Sequence, residues 1–397
     1  VDAAIKAQLL ATGRRMLACF TQQQADLADD IVSIDASVYV DPARFEAEKQ
    51  YIFRTLPLML AASCELAAAG DYKTLDVAGM PILLTRGEDG NAHAFLNSCR
   101  HRAGPVACDK GNASRFSCPY HGWTYSNRGD LIGIASSDQY GQAHKQGLRL
   151  IEFPLYESAG LIWVVLDPAS KINISGFLGG FDKMLGGFDL ARWTLYDQCT
   201  LPGANWKLAF DAHLDFYHLP VLHKETFGPR ISNMAQYFFH GPHQRLGLMT
   251  ENPVEQNDLR HLKDIAEAEW PLASLLFGEW IVFPNVSLNC FTAGEQVMVV
   301  SQIFPGDTPE NSTTVQSYLV ANPPSKQTKQ ELDDFVAFIK KIVGEEDLPM
   351  SRQQQKSISS GLVQKVHFGR NESGLQHYHD WIERLVSGET PDFFAEK

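Results

Sequence analysis

The sequence predicts an α+β protein of two domains, a small β-rich unit followed by a larger unit of helices packed on an antiparallel sheet. Three observations carry this expectation. At 397 residues the chain exceeds the size at which a single hydrophobic core usually stops growing. Short β-textured segments crowd the stretch from about residue 50 to Asp167-Pro168. Beyond Pro168, apolar strand-like runs alternate with segments of helical periodicity. The expected divisions are an N-terminal helical segment over 1–49, the β-rich domain over 50–168 and the larger domain over 169–397.

The elements follow in order. The first stretch, to about Leu27, has helical character. Asp41 as N-cap and Pro42 at the first helical position open a second helix, with Phe45, Ile52 and Phe53 on one face. Residues 81–85 and 92–96 flank Glu88-Asp89-Gly90-Asn91, a hairpin-like turn. The apolar run 161–166 reads as a buried strand, as do 297–304 and 313–320. Leu332, Phe335, Val336, Ile339 and Val343 mark one face of a helix, with Gly344 placed to stop it. Leu375, Tyr378, His379, Ile382 and Leu385 mark a final helix.

Composition excludes several function classes. The formal charge of −13 is spread along the chain, which disfavours binding to phosphate backbones. No window approaches the ~18 unbroken apolar residues of a membrane span, the nearest being interrupted at Glu65. The opening residues lack a signal-peptide layout. Seven cysteines in so long a chain do not form a disulfide framework, so Cys19, Cys64, Cys108, Cys199 and Cys290 read as reduced thiols. A cytoplasmic enzyme is the expectation.

Cys99-Arg-His101 is followed, after sixteen residues, by Cys118-Pro-Tyr-His121. Each box offers a thiolate and an imidazole from one tight loop. Two cysteines and two histidines can make a structural zinc site. Zinc folds mostly group like ligands, however, whereas interleaved C-x-H and C-x-x-H suit a [2Fe–2S] cluster with cysteines on one iron and histidines on the other. Residues 99–104 (Cys-Arg-His-Arg-Ala-Gly) and 118–123 (Cys-Pro-Tyr-His-Gly-Trp) closely resemble the two ligand boxes of the Rieske family.

A second constellation lies in Asp211-Ala-His-Leu-Asp215-Phe-Tyr-His218-Leu-Pro220-Val-Leu-His223. Asp215 and His218, three apart, are expected on one helical face. Pro220 is expected to end that helix, letting His223 turn back towards His218 so that both imidazoles converge on one metal. The segment resembles the catalytic motif of the Rieske non-haem iron oxygenases, in their catalytic alpha (large) subunits. That resemblance implies His218 and His223 as ligands of a mononuclear Fe(II). It also implies Asp215 as the acid linking His218 to a cluster histidine of a neighbouring subunit. The third ligand is implied on a later acidic segment, where Asp347 is expected and Glu346 is the alternative.

The same resemblance implies an N-terminal Rieske [2Fe–2S] domain, with Cys99, His101, Cys118 and His121 on the cluster, and a helix-grip (START-like) catalytic domain. The implied activity is that of a terminal oxygenase, which activates O₂ with electrons from a ferredoxin or an NAD(P)H-dependent reductase. It would hydroxylate an aromatic or other apolar organic substrate, or alternatively remove an N- or O-alkyl group. A homotrimer is implied, with a β subunit as an option. A pure electron-transfer or zinc-stabilised protein would leave residues 169–397 without a purpose. Phe210, Phe216, Tyr237, Phe238, Phe239, Trp280, Phe283 and Phe291 are candidates for an apolar pocket or for core.

Overall fold

Alternating apolar residues build the N-terminal β-domain as three small sheets, seen in a computed structural model that describes residues 3–22, 24–141, 147–228, 231–250, 259–276 and 278–391. The expected hairpin forms: Met80–Arg86 pairs antiparallel with Ala92–Leu96, and Gly90 takes positive φ (81°) in the turn. Asp71–Val77 and Lys110–Asn112 complete that sheet. The strand Leu161–Val164 is buried at every position, between Leu155–Ser158 and Leu58–Ala62. The third sheet, Arg115–Ser117, Thr124–Ser126 and Leu131–Gly133, carries the second Cys-His box in its first turn.

The larger domain is a seven-stranded antiparallel sheet. Its spatial order is Thr194–Gly203, Ser312–Val320, Glu295–Pro305, Val286–Ala293, Glu279–Val282, His243–Thr250 and Ile231–His240. Side chains alternate between its faces. Trp280, Leu288, Met298, Val300 and Leu319 join the core shared with the β-domain. On the other face, Val297, Val299, Tyr318 and Val320 receive Leu332 and Val336 of the helix Thr328–Lys341. The C-terminal helix Ser373–Val386 buries Leu375, Tyr378, Ile382 and Leu385, each worth about 1.5–3 kcal/mol of transfer free energy.

The N-terminal segment is fastened to this domain. Val32–Asp35 pairs with Lys365–Phe368. The helix Pro42–Glu48 starts at Asp41, whose carboxylate accepts hydrogen bonds from the Ala43 and Arg44 N–H groups. At its end lies an ion pair that no sequence pattern announced: Lys207 Nζ sits 2.5 Å from Glu48 Oε2, both fully buried. Trp206 Nε1 and Arg44 Nε donate to the same carboxylate, so the buried charge is fully hydrogen-bonded.

The chain departs from the expected helices at two places, both beside the functional site. The helix Trp206–Asp211 stops before Asp215, and Pro220 opens a short helix, Leu219–Leu222, instead of closing one. Asp215 and His218 therefore meet across a turn. Gly344 does not stop its helix. It lies in a π-helical turn, Ile342–Asp347, that carries the chain into the helix Leu348–Ser359. Glycine tolerates helical dihedrals as well as left-handed ones, and the flanking turns hold it in the helix.

Candidate two-centre metal site

The two Cys-His boxes fold as near copies. In the first, Cys99 N–H donates to Gly104 O (2.7 Å) and Ala103 N–H to Cys99 O (2.9 Å). In the second, Cys118 N–H donates to Trp123 O (2.8 Å) and Gly122 N–H to Cys118 O (2.9 Å). The fifth residue of each turn has positive φ, Ala103 at 58° and Gly122 at 70°. Alanine there costs about 1 kcal/mol, which the paired turns sustain. Gly104 lies beside the second box, where a Cβ on it would meet Cys118 Sγ at 3.4 Å, an ordinary contact.

These turns bury Cys99 and Cys118 and bring the His101 and His121 rings to 4.6 Å between centroids, with Trp123 stacked on His101. Tyr125 Oη accepts from Arg100 N–H (2.9 Å) and lies 3.4 Å from Cys99 Sγ, placed to donate to it. His101 Nδ1 is sealed from solvent with no partner among the described residues, an orphan that a metal would satisfy. Desolvation, then the charges of His101 and Arg102, push the His121 imidazole below its ordinary pKa, favouring the neutral form a ligand needs.

Two thiolates and two imidazoles in interleaved order suit a [2Fe–2S] cluster with cysteines on one iron and histidines on the other, whereas structural zinc sites mostly group like ligands.

The second centre is assembled from distant segments. Asp215 Oδ1 accepts from His218 N–H (3.0 Å) and lies 3.0 Å from His218 Nδ1, turning Nε2 of that ring inward. Glu346 Oε2 lies 2.6 Å from His223 Nδ1, and Phe227 stacks on the same ring. Asp347 Oδ1 stands 3.1 Å from His223 Nε2 and 3.8 Å from His218 Nε2, yet it forms no hydrogen bond and is sealed from solvent. Three donors thus aim at one point rather than at each other. With metal–donor bonds of ~2.1 Å, adjacent donors stand about 3 Å apart, so an ion fits. Two imidazoles and one carboxylate are the donor set of a facial non-haem Fe(II) site with open positions.

The second carboxylates decide the roles available. Each imidazole has one nitrogen on an outer acid, Asp215 or Glu346, and the other on the shared point, which fixes ring orientation. Sequence reasoning missed Glu346 as the partner of His223, and only the π-helical turn reveals that adjacent acids take different tasks. Asp347 is not a capping residue, for its backbone is helical (φ −68°, ψ −56°) and its side chain caps nothing. Burial alone would lower the His218 pKa, but the hydrogen bond and charge of Asp215, then Asp347 and Glu279, outweigh it and raise it. At His223, Asp347 and Glu346 likewise outweigh burial.

Several candidate pocket aromatics lie elsewhere. Trp280 packs on Phe181 across the opposite sheet face, Phe239 stacks on His377 near the surface, and Phe291 packs on Phe335.

Fold and site together define a redox protein with a cluster-binding β-domain and a separate 2-His-1-carboxylate centre. The chain belongs to the ring-hydroxylating alpha subunit family: residues 190–388 match its catalytic domain and residues 57–152 match the Rieske [2Fe-2S] domain. It is accordingly a Rieske oxygenase, with a [2Fe–2S] domain and a catalytic domain of the kind that binds mononuclear iron. It is 28% identical to the carnitine monooxygenase oxygenase subunit of Escherichia coli (strain K12), over 89% of this chain and 93% of that one. It is 27% identical to the 2-aminobenzenesulfonate 2,3-dioxygenase subunit alpha of Alcaligenes sp, with the same coverage. Its fold resembles a quaternary ammonium Rieske monooxygenase (TM-score 0.77, 21% identity, covering 91% of this chain and 96% of that one). It also resembles naphthalene 1,2-dioxygenase from Rhodococcus sp. (TM-score 0.73, 20% identity, covering 98% and 100%). Among the described residues, no helix is long and apolar enough to cross a membrane.

Proposed function

We propose that the chain is the oxygen-activating component of a Rieske monooxygenase that oxidises a carbon attached to nitrogen in a small organic substrate. The convergence of His218, His223 and Asp347 on one point carries this reading. When bound, the cluster supplies single electrons and the iron binds and activates O₂. The division of labour among residues follows. Cys99, Cys118, His101 and His121 hold the cluster, and Tyr125 steadies the Cys99 thiolate. Asp215 and Glu346 hold the iron-site imidazoles in one tautomer, with Nε2 inward.

One oxygen atom enters a C–H bond beside nitrogen and the other leaves as water, taking up two electrons and two protons. The resulting carbinolamine breaks its C–N bond to give an aldehyde and an amine. The likeness to carnitine monooxygenase, and to the glycine betaine monooxygenase oxygenase subunit of Pseudomonas aeruginosa (30% identical over 50% of this chain and 46% of that one), supports this over ring hydroxylation. Ring hydroxylation keeps its support from the 2-aminobenzenesulfonate 2,3-dioxygenase relative.

Electrons are read as coming from an NAD(P)H-dependent reductase, directly or through a ferredoxin. A head-to-tail homotrimer would let Asp215 reach a cluster histidine of the next subunit, in keeping with the inter-subunit electron transfer named for a solved relative. A reducing cytoplasm suits the five cysteines outside the cluster boxes, none of which is in a disulfide. The domain division is drawn at 49/50 and 168/169. Substrate-dependent O₂ consumption with a reductase, measured against a panel of N-methylated amines and aromatic acids, tests the reading. Aldehyde release from the amines is expected, and turnover of the aromatic acids alone would transfer the reading to ring hydroxylation.

A further inference from the structure

We propose that Glu279 is the counter-ion for a positively charged group of the substrate, which makes this oxygenase selective for ammonium compounds. The inference rests on the oxygenase reading above and deepens it.

Glu279 lies in the strand Glu279–Val282, one residue from Trp280, whose indole packs with Phe181 and under the Arg245 guanidinium on the β-domain side of the sheet. Alternation turns Glu279 to the other face, towards the iron site. There His213 Nδ1 lies 2.9 Å from Glu279 Oε1, and Ser287 Oγ donates to the same oxygen at 2.6 Å. His213 stands two residues before Asp215 and five before His218. The Glu279 charge is felt at the His218 imidazole.

Both partners take Oε1. Among the described residues Oε2 accepts no hydrogen bond, and it is not one of the sealed, unpartnered atoms of the interior. It therefore keeps some solvent contact, although the residue as a whole is only 7% exposed. A carboxylate this deep is costly unless both oxygens are satisfied, and here only Oε1 is. Its neighbours on that face extend the polar character. Ser287 is buried on the adjoining strand, Asn289 stands directly opposite Glu279, and Gln244 is fully buried one strand over. Leu246, paired with Glu279, and Ile281, next on the same face, add apolar surface, so the wall suits an alkylated cation and disfavours a carboxylate.

The test is calorimetric titration of the iron-replete protein with two matched pairs of probes. Choline and benzyltrimethylammonium are each compared with the uncharged isostere in which carbon replaces the quaternary nitrogen. The wild type is expected to bind the cation at least about tenfold more tightly than its isostere in one pair or both. Glu279→Gln should reduce that preference to near unity, while Glu279→Asp keeps most of it. A wild type without cation preference, or a preference undiminished in Glu279→Gln, overturns the inference. Should Glu279→Gln lose the cluster absorption through misfolding, the wild-type comparison and Glu279→Asp still decide. Iron and sulfide are assayed on the same sample. Iron-replete protein lacking the preference overturns this inference alone, whereas protein that takes up no mononuclear iron overturns the oxygenase reading and this one with it.

Discussion

In the β-domain the proposed cluster donors come from two turns, 99–104 and 118–123, each closed by its own backbone hydrogen bonds. In the catalytic domain two histidines from one loop meet a carboxylate from a helix that begins beyond residue 340, and each ring is held from behind by another acid. The first centre is local and pre-shaped by sequence. The second exists only once the domain has folded, because its geometry depends on the phase of a π-helical turn. Turns of this kind recur at functional sites, since one extra residue per turn redirects the side chains after it.

Removing the far carboxylate breaks the comparison most severely. Asp347→Ala should lower iron from about three to about two per chain and abolish turnover, leaving the cluster spectrum intact. Metal analysis checks this, and unchanged iron would move the ligand role to Glu346 or another acid. Asp215→Asn should leave both centres filled yet slow turnover by about 100-fold, because the amide cannot hold His218 Nδ1 as a charged acceptor does. Full activity in that variant would remove the linking role.

Glu346→Gln separates the two adjacent acids. Iron should still bind, but about 10–100-fold more weakly, as expected for loss of an outer partner to a ligating imidazole. Loss of iron as complete as in Asp347→Ala would contradict the division of tasks.

The sequence made the first centre legible because each box is contiguous, Cys-x-His and Cys-x-x-His, and resembles a known ligand box as it stands; the positive φ of Ala103 was not readable from it. It also marked His218, His223 and the acidic segment at 345–347. It did not show which acid faces inward, because that depends on the path of the chain through Gly344, which continued where a helix stop was expected. The Glu48–Lys207 pair and the Glu279–His213 pair were invisible for a related reason. Each joins residues 66 or more apart, with no periodicity linking them.

The carboxylates also predict how iron uptake depends on pH. They raise the pKa of His218 and His223 in the metal-free fold, after outweighing burial. Stability gained from these protonated rings is complete below the unfolded-state pKa and is lost as pH rises through the raised folded value. Iron must displace the same protons, so Fe(II) affinity should climb with pH through the raised values and level off above them. Titrations at several pH values check this, and pH-independent affinity would contradict it.

The smallest effect belongs to the local centre. Tyr125→Phe removes the hydroxyl placed to donate to Cys99 Sγ, so the reduced cluster loses a stabilising contact and its midpoint potential should fall, with metal content unchanged. Protein-film voltammetry reads the shift.

The most direct measurement is iron and acid-labile sulfide content, together with the EPR spectrum of the dithionite-reduced protein. The two-centre account predicts about three irons and two sulfides per chain and a Rieske-type signal of low average g. Zinc without sulfide would contradict it.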